Sequence, residues 1–242
     1  GLYLSIDAGS SWTKWTNGFP TVPVKDLVIQ ERENDLIIGT FGRAAWVLDD
    51  LIPLRDIAKN NKVLTSDIVL FEAPDAYQVS FRQPTGSRFG ADAIYQGENR
   101  VYGARIPYYI QIKKEDNSKN IDSSIENKNE EEEEENIDVD DKKTEGKHKD
   151  SIYLNIYDGD RLIRSLKKKT PDSTGIYYWR WSMNEAGVDR PSREIKKRKN
   201  EPRGISVKPG TYRLVLNYLD HTTSSTIQIK SDPRVEVSEN TI

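Results

Sequence analysis

The sequence predicts an all-β chain in two parts, and three observations predict it. Short runs rich in Val, Ile, Tyr, Trp and Thr recur along its length, separated by Gly, Pro, Asn and Asp, the usual punctuation of strands and turns. Several runs in the C-terminal half alternate apolar and polar residues, as Ser151-Ile152-Tyr153-Leu154-Asn155-Ile156-Tyr157 does. Period two is the mark of a half-buried strand. Turn signals such as Asp158-Gly159-Asp160 then join neighbouring runs into hairpins.

The first part covers residues 1–55. Leu2 to Ser5 and Trp12 to Thr16 read as strands around a tight turn. Asn17-Gly18-Phe19-Pro20 is a second turn, and Val24-Lys25-Asp26-Leu27-Val28-Ile29 is the strand after it. Asp35-Leu36-Ile37-Ile38-Gly39 is a compact apolar run that reads as a buried strand, and Arg43-Ala44-Ala45-Trp46-Val47-Leu48 is its successor. Repetition on this scale suits four-stranded blades of about 40–45 residues. Tyr3 to Asp7 and Trp46 to Asp50 share one aromatic-to-Asp offset, as two copies of one corner would, the second degenerate. Tyr3 and Trp46 then read as packing residues.

The turn itself is the most specific feature. In Ser5-Ile6-Asp7-Ala8-Gly9-Ser10-Ser11-Trp12, Gly9 supplies a positive φ. Asp7 accepts hydrogen bonds from turn amides, Ser5 and Ser11 do so more weakly, and Trp12 folds back as an apolar lid. This pattern resembles the Asp-box of BNR-repeat β-propellers, the sialidase and sortilin group. The run from Gly39 to Leu51 is similar to the terminal blade of bacterial sortilin-like propellers. The resemblance covers roughly the first quarter of the chain. It implies that Ser5, Asp7, Gly9, Ser11 and Trp12 are structural and lie opposite the ligand face. It also places the loop Phe41-Gly42-Arg43 on the ligand face, which makes Phe41 and Arg43 the ligand-binding candidates. The plainer alternative for Arg43 is an ion pair with Asp49 or Asp50.

Residues 56–100 read as a connector, with a helical turn over 56–61 and a strand at Ile68-Val69-Leu70-Phe71. Pro74, Pro84 and the run 86–90 argue for irregular chain beyond it. Residues 101–237 read as a β-sandwich. Ala104 to Ile110 is a strand that Pro107 assigns to an edge. Ser151 to Tyr157 and Leu162 to Leu166 form a hairpin, Gly175 to Trp181 is an aromatic strand, and Pro209 to Tyr218 with Thr223 to Ile229 closes the sheet. The order resembles the Ig-like, hook-cap-type module that follows such propellers, with Gly175 to Trp179 and Pro209 to Tyr212 as the matching motifs. One face of the aromatic strand fills the core; a sugar-stacking platform is the alternative. Residues 113–150, with six consecutive acids from Glu130 to Glu135, read as a disordered acidic insertion.

Composition narrows the function. The chain has 242 residues, a formal net charge of −3 and no cysteine, so disulfides, thiol nucleophiles and Cys-type zinc sites are excluded. Its balance does not suggest nucleic acid, and Lys196-Lys197-Arg198-Lys199 reads as a solvated loop without interleaved aromatics. No apolar run approaches a membrane span of roughly 20 residues. His148 and His221 are far apart in sequence, and neither a metal nor a cofactor is implied. The only methionine is Met183, and the chain reads as the C-terminal part of a longer protein. The resemblance implies an extracytoplasmic protein, periplasmic, secreted or at the cell surface, that recognises glycan or protein ligands through its propeller. The alternative is the end of a sialidase-type glycoside hydrolase whose catalytic residues lie upstream.

Overall fold

A computed structural model describes residues 1–79, 102–112, 151–188, 191, 201–202 and 204–235. These residues are mainly strand, with one α-helix among them. The connector region 80–101, the acidic run 113–150 with His148, and Lys196 to Lys199 lie outside them.

Strands β1 (Leu2–Leu4) and β2 (Thr13–Trp15) pair antiparallel, Leu2 opposite Trp15. Strands β3 (Val24–Gln30), β4 (Asp35–Thr40) and β5 (Ala45–Leu48) form a three-stranded meander. Its register aligns Leu27, Ile38 and Trp46, and Ile29, Leu36 and Leu48, across the strands. Ile38, Leu36 and Trp46 pack with Leu2, Trp15, Phe19, Val22 and Val24 in one small core. Phe19 meets the Trp46 ring edge-on at 5.6 Å, a favoured aromatic geometry. Trp46 is thus a packing residue, as expected. Tyr3 is not, for it is 54% exposed. Ile38 alone of β4 is buried, because Ile37 lines up with Val28 and Val47 on the sheet's other, open face.

Helix α1 (Ile52–Lys59) begins earlier than the sequence suggested. Pro53 sits in its first turn, where the missing N–H costs nothing. Pro53 and Ile57 are its buried residues, four apart and therefore on one face. Asn60 ends the helix and its side chain accepts from the Lys62 amide at 3.1 Å, opening a short 3-10 turn over Asn61–Thr65.

The segment that reads as a connector in sequence supplies one strand to each of two larger sheets. Strand β6 (Ile68–Leu70) joins a three-stranded sheet of order β11-β8-β6, where β8 is Ala104–Ile110 and β11 is Gly175–Trp181. Strand β7 (Ala76–Tyr77) runs parallel to β13 at the edge of a five-stranded sheet, β10-β9-β12-β13-β7. Its other members are β9 (Ser151–Asp158), β10 (Arg161–Lys169), β12 (Gly210–Tyr218) and β13 (His221–Lys230).

Both sheets share one apolar core. Ile152, Leu154 and Ile156 of β9 and Leu214 and Leu216 of β12 meet Ile106 and Ile110 of β8 and the indoles of Trp179 and Trp181. Every second residue of β9 and β12 is buried, as the alternation required. The aromatic face of β11 is core, not a platform: Trp179 and Trp181 are 2% and 1% exposed, and Tyr177 packs beside them. Gly103 makes this approach possible, for at φ +120° a Cβ would lie 2.7 Å from the Trp181 carbonyl oxygen.

Pro107 does not put β8 at an edge; β8 is the central strand of its sheet. The Pro107 carbonyl accepts from the Phe71 amide at 3.1 Å, just past the end of β6. In an antiparallel pair the N–H and C=O of a residue face the same neighbour. The missing donor therefore points where β6 has already run out.

Candidate functional site

The Asp7 turn closes through its own side chains. Asp7 Oδ1 accepts the Ser11 amide at 2.9 Å, and Oδ2 accepts the Ser11 hydroxyl at 2.5 Å. The Ser5 hydroxyl donates to Asp7 Oδ1 at 2.8 Å and accepts the Gly9 amide at 2.7 Å. Gly9 holds φ +91°, the region that glycine enters freely. These hydrogen bonds stabilise the carboxylate and hold the Asp7 pKa down at about 2, Ser11 being the largest contributor. Trp12 departs from expectation. A Cβ at Gly9 would lie 3.8 Å from its ring, yet Trp12 is 64% exposed. It shields the turn on one side and offers the other to solvent.

The second corner is built differently. Asp50 is 5% exposed, at φ +59°. Its Oδ1 accepts the Ile52 amide at 3.1 Å, two residues on, and its own amide donates to Asp35 Oδ1 at 2.9 Å. The aromatic-to-Asp spacing therefore recurs without the five-residue closure seen at Asp7. Asp49, its neighbour, turns away and pairs with Arg105 of β8 at 2.8 Å.

Phe41 and Arg43 lie together on the β4–β5 hairpin tip, at the end of the sheet opposite Asp50. Local hydrogen bonds fix this tip: Thr40 Oγ1 donates to the Ala44 carbonyl at 2.6 Å, and the Phe41 amide to the Pro23 carbonyl at 3.0 Å. Trp46 Nε1 donates to the Arg43 carbonyl at 2.9 Å. Phe41 is 69% exposed, with the Lys25 ammonium 5.4 Å from its ring centre. Arg43 is exposed, and among the described residues it pairs with neither Asp49 nor Asp50. The tip thus carries an open aromatic ring and the Arg43 cation, with the Lys25 cation of β3 over the ring. Such a surface suits an anionic or polyhydroxylated ligand by ion pairing and stacking.

Sequence reasoning missed the junction between the two parts. The Arg105 guanidinium lies 4.5 Å from the Tyr178 ring centre while it pairs with Asp49. Burial, then the charge of Asp50, pushes the Tyr178 hydroxyl up to about 12, with Arg105 opposing. It also missed His221, which leaves its turn to place Nε2 3.3 Å from Asp67 Oδ2. No local signal marks pairs 56 or 154 residues apart.

A cavity of about 290 Å³ is lined by Arg32, Glu33, Ile52, Glu72, Asp75 and Lys230 among others, and excludes both Phe41 and Arg43. Among the described residues no helix is long and apolar enough to cross a membrane. Comparison with protein-family models, with curated proteins and with solved structures finds no match to this chain.

Proposed function

We propose that this chain is the non-catalytic, C-terminal portion of an exported Asp-box propeller protein: the end of a β-propeller followed by an Ig-like sandwich, recognising glycan or protein ligands. The observation that carries the reading is the Asp7 turn. Its carboxylate engages the Ser11 amide and hydroxyl and the Ser5 hydroxyl, the work expected of an Asp-box. The adjoining β3–β4–β5 meander shares a core with β1 and β2, which suits consecutive blade strands. The two sheets on one core suit a sandwich. Among the described residues, the adjacent Asp49 and Asp50 and the imidazole of His221 each have a structural partner. Asp49 holds Arg105, Asp50 caps the chain before α1, and His221 meets Asp67.

On this reading the Phe41–Arg43 tip contributes to the ligand face. Titration with sialylated and neutral oligosaccharides, followed by calorimetry, tests it. Phe41→Ala and Arg43→Ala should each weaken binding by about tenfold, the loss expected when an anchor side chain is truncated. Asp7→Ala should leave affinity near wild type. Binding abolished by Asp7→Ala at an unchanged melting temperature, or untouched by both tip variants, would contradict the proposal.

A further inference from the structure

The Asp7 turn does more than reverse the chain. Ile6, held between Ser5 and Asp7, packs against a separate apolar cluster built by the second part of the protein. That cluster contains Ile57 of α1, Phe71 just after β6 and Tyr109 of β8, with Val69 and Ile176 beside them. Tyr109 and Val69 belong to the three-stranded sheet whose other face lines the main core. Ile6 therefore covers the outer face of that sheet, alongside α1.

We infer that the Asp-box turn is the docking key that fixes the N-terminal strands onto the two-sheet unit. The turn's hydrogen bonds hold Ile6 in the pose in which it docks. The Asp7 carboxylate spends its hydrogen bonds inside the turn, on Ser5 and Ser11, so Asp7 acts on the junction by setting the pose of Ile6. Pre-organisation of this kind removes the ordering cost from the contact itself. A polar rim completes the junction. Asp49 pairs with Arg105 at 2.8 Å, Arg105 stacks on Tyr178, and Arg55 of α1 donates to the Asn34 side chain. Within the N-terminal part, the Leu51 amide ties the start of α1 to the Asn34 carbonyl at 2.8 Å. Apolar plug and polar rim come from different segments of the N-terminal part, Ile6 from the β1–β2 turn and Asn34 and Asp49 from the ends of the meander. This docking stands whether or not the propeller reading does, because the contacts of Ile6 do not depend on it.

Hydrogen exchange on the 242-residue chain tests it by comparing α1 and β8 amides with those of β12. Ile6→Ser should speed exchange in α1 and β8 by about fivefold, the effect of losing a half-buried aliphatic side chain. Amides of β12, in the main core, should keep their rates. Asp7→Ala should speed the same α1 and β8 amides, and Ile6→Val should restore most of the protection. Unchanged α1 and β8 rates in Ile6→Ser would overturn the inference. An equal rise in β12 would do so as well, because a docking contact loosens only the face it covers. If Ile6→Ser does not fold, Ile6→Val gives the same comparison with a smaller rise.

Discussion

Truncating Trp181 gives the sharpest test of the two-sheet core. Its indole is 1% exposed, meets the Tyr212 ring edge-on at 5.5 Å, and donates from Nε1 to the Asn184 carbonyl at 2.9 Å. It also carries the carbonyl against which Gly103 packs. Trp181→Ala removes a large buried ring and leaves a cavity between β11 and β12, a change that costs about 3–5 kcal/mol. The orphaned Asn184 acceptor adds to the upper end of that range. Domains are stable by only about 5–15 kcal/mol, so the variant keeps a fraction of the wild-type stability. With a urea slope of about 2 kcal/mol/M, the midpoint falls by about 2 M. The assay is equilibrium unfolding in urea followed by Trp fluorescence and far-UV circular dichroism. A midpoint within about 0.5 M of wild type, that is under about 1 kcal/mol, would refute the reasoning. It would mean that the aromatic face of β11 is not buried.

Two single residues give further tests. Asp7 has its pKa lowered to about 2 in the folded chain, against about 3.9 when unfolded, so its contribution is complete above the unfolded value and vanishes as pH falls through the folded one. The melting-temperature gap between wild type and Asp7→Asn should therefore be constant above about pH 5 and close between about pH 4 and pH 2; a gap that widens with acid would contradict this. Gly103→Ala places a Cβ 2.7 Å from the Trp181 carbonyl oxygen at φ +120°, and should destabilise the protein by more than about 1 kcal/mol in the same urea assay. Unchanged or raised stability would show that Gly103 is not in that conformation.

What the sequence made legible was whatever repeats at period two. The alternation in Ser151 to Tyr157 gave β9, Pro209 to Tyr218 was read as the strand that became β12, and Gly175 to Trp181 matched β11 end to end. The Asp7 turn was legible because its hydrogen bonds are made within five residues of one another. One proline signal misleads and another goes unread. Pro107 marks a local edge within a central strand, since β6 ends beside it. Pro53 is a helix-start signal, and α1 accordingly begins at Ile52, ahead of the polar run 56–61 that reads as helical turn. Long-range partners left no trace at all. Nothing near Asp49 specifies Arg105, nothing near Ile6 specifies Tyr109, and β6 and β7 carry too few residues to announce which sheet they complete. The candidate site was legible only as far as the tip, the β4–β5 loop that carries both Phe41 and Arg43.

On the proposed reading this chain binds a ligand or supports the fold and does not catalyse. Enzymes hold several groups within hydrogen-bonding reach of one reacting centre; among the described residues Arg43 stands at a hairpin tip and His221 meets Asp67 at the start of β13. The direct measurement is incubation of the purified chain with fluorogenic sialosides, other glycosides and peptide substrates. On the proposed reading fluorophore is released at the background rate, with or without Arg43→Ala. Turnover clearly above background that is abolished by changing Arg43 or His221 would contradict it.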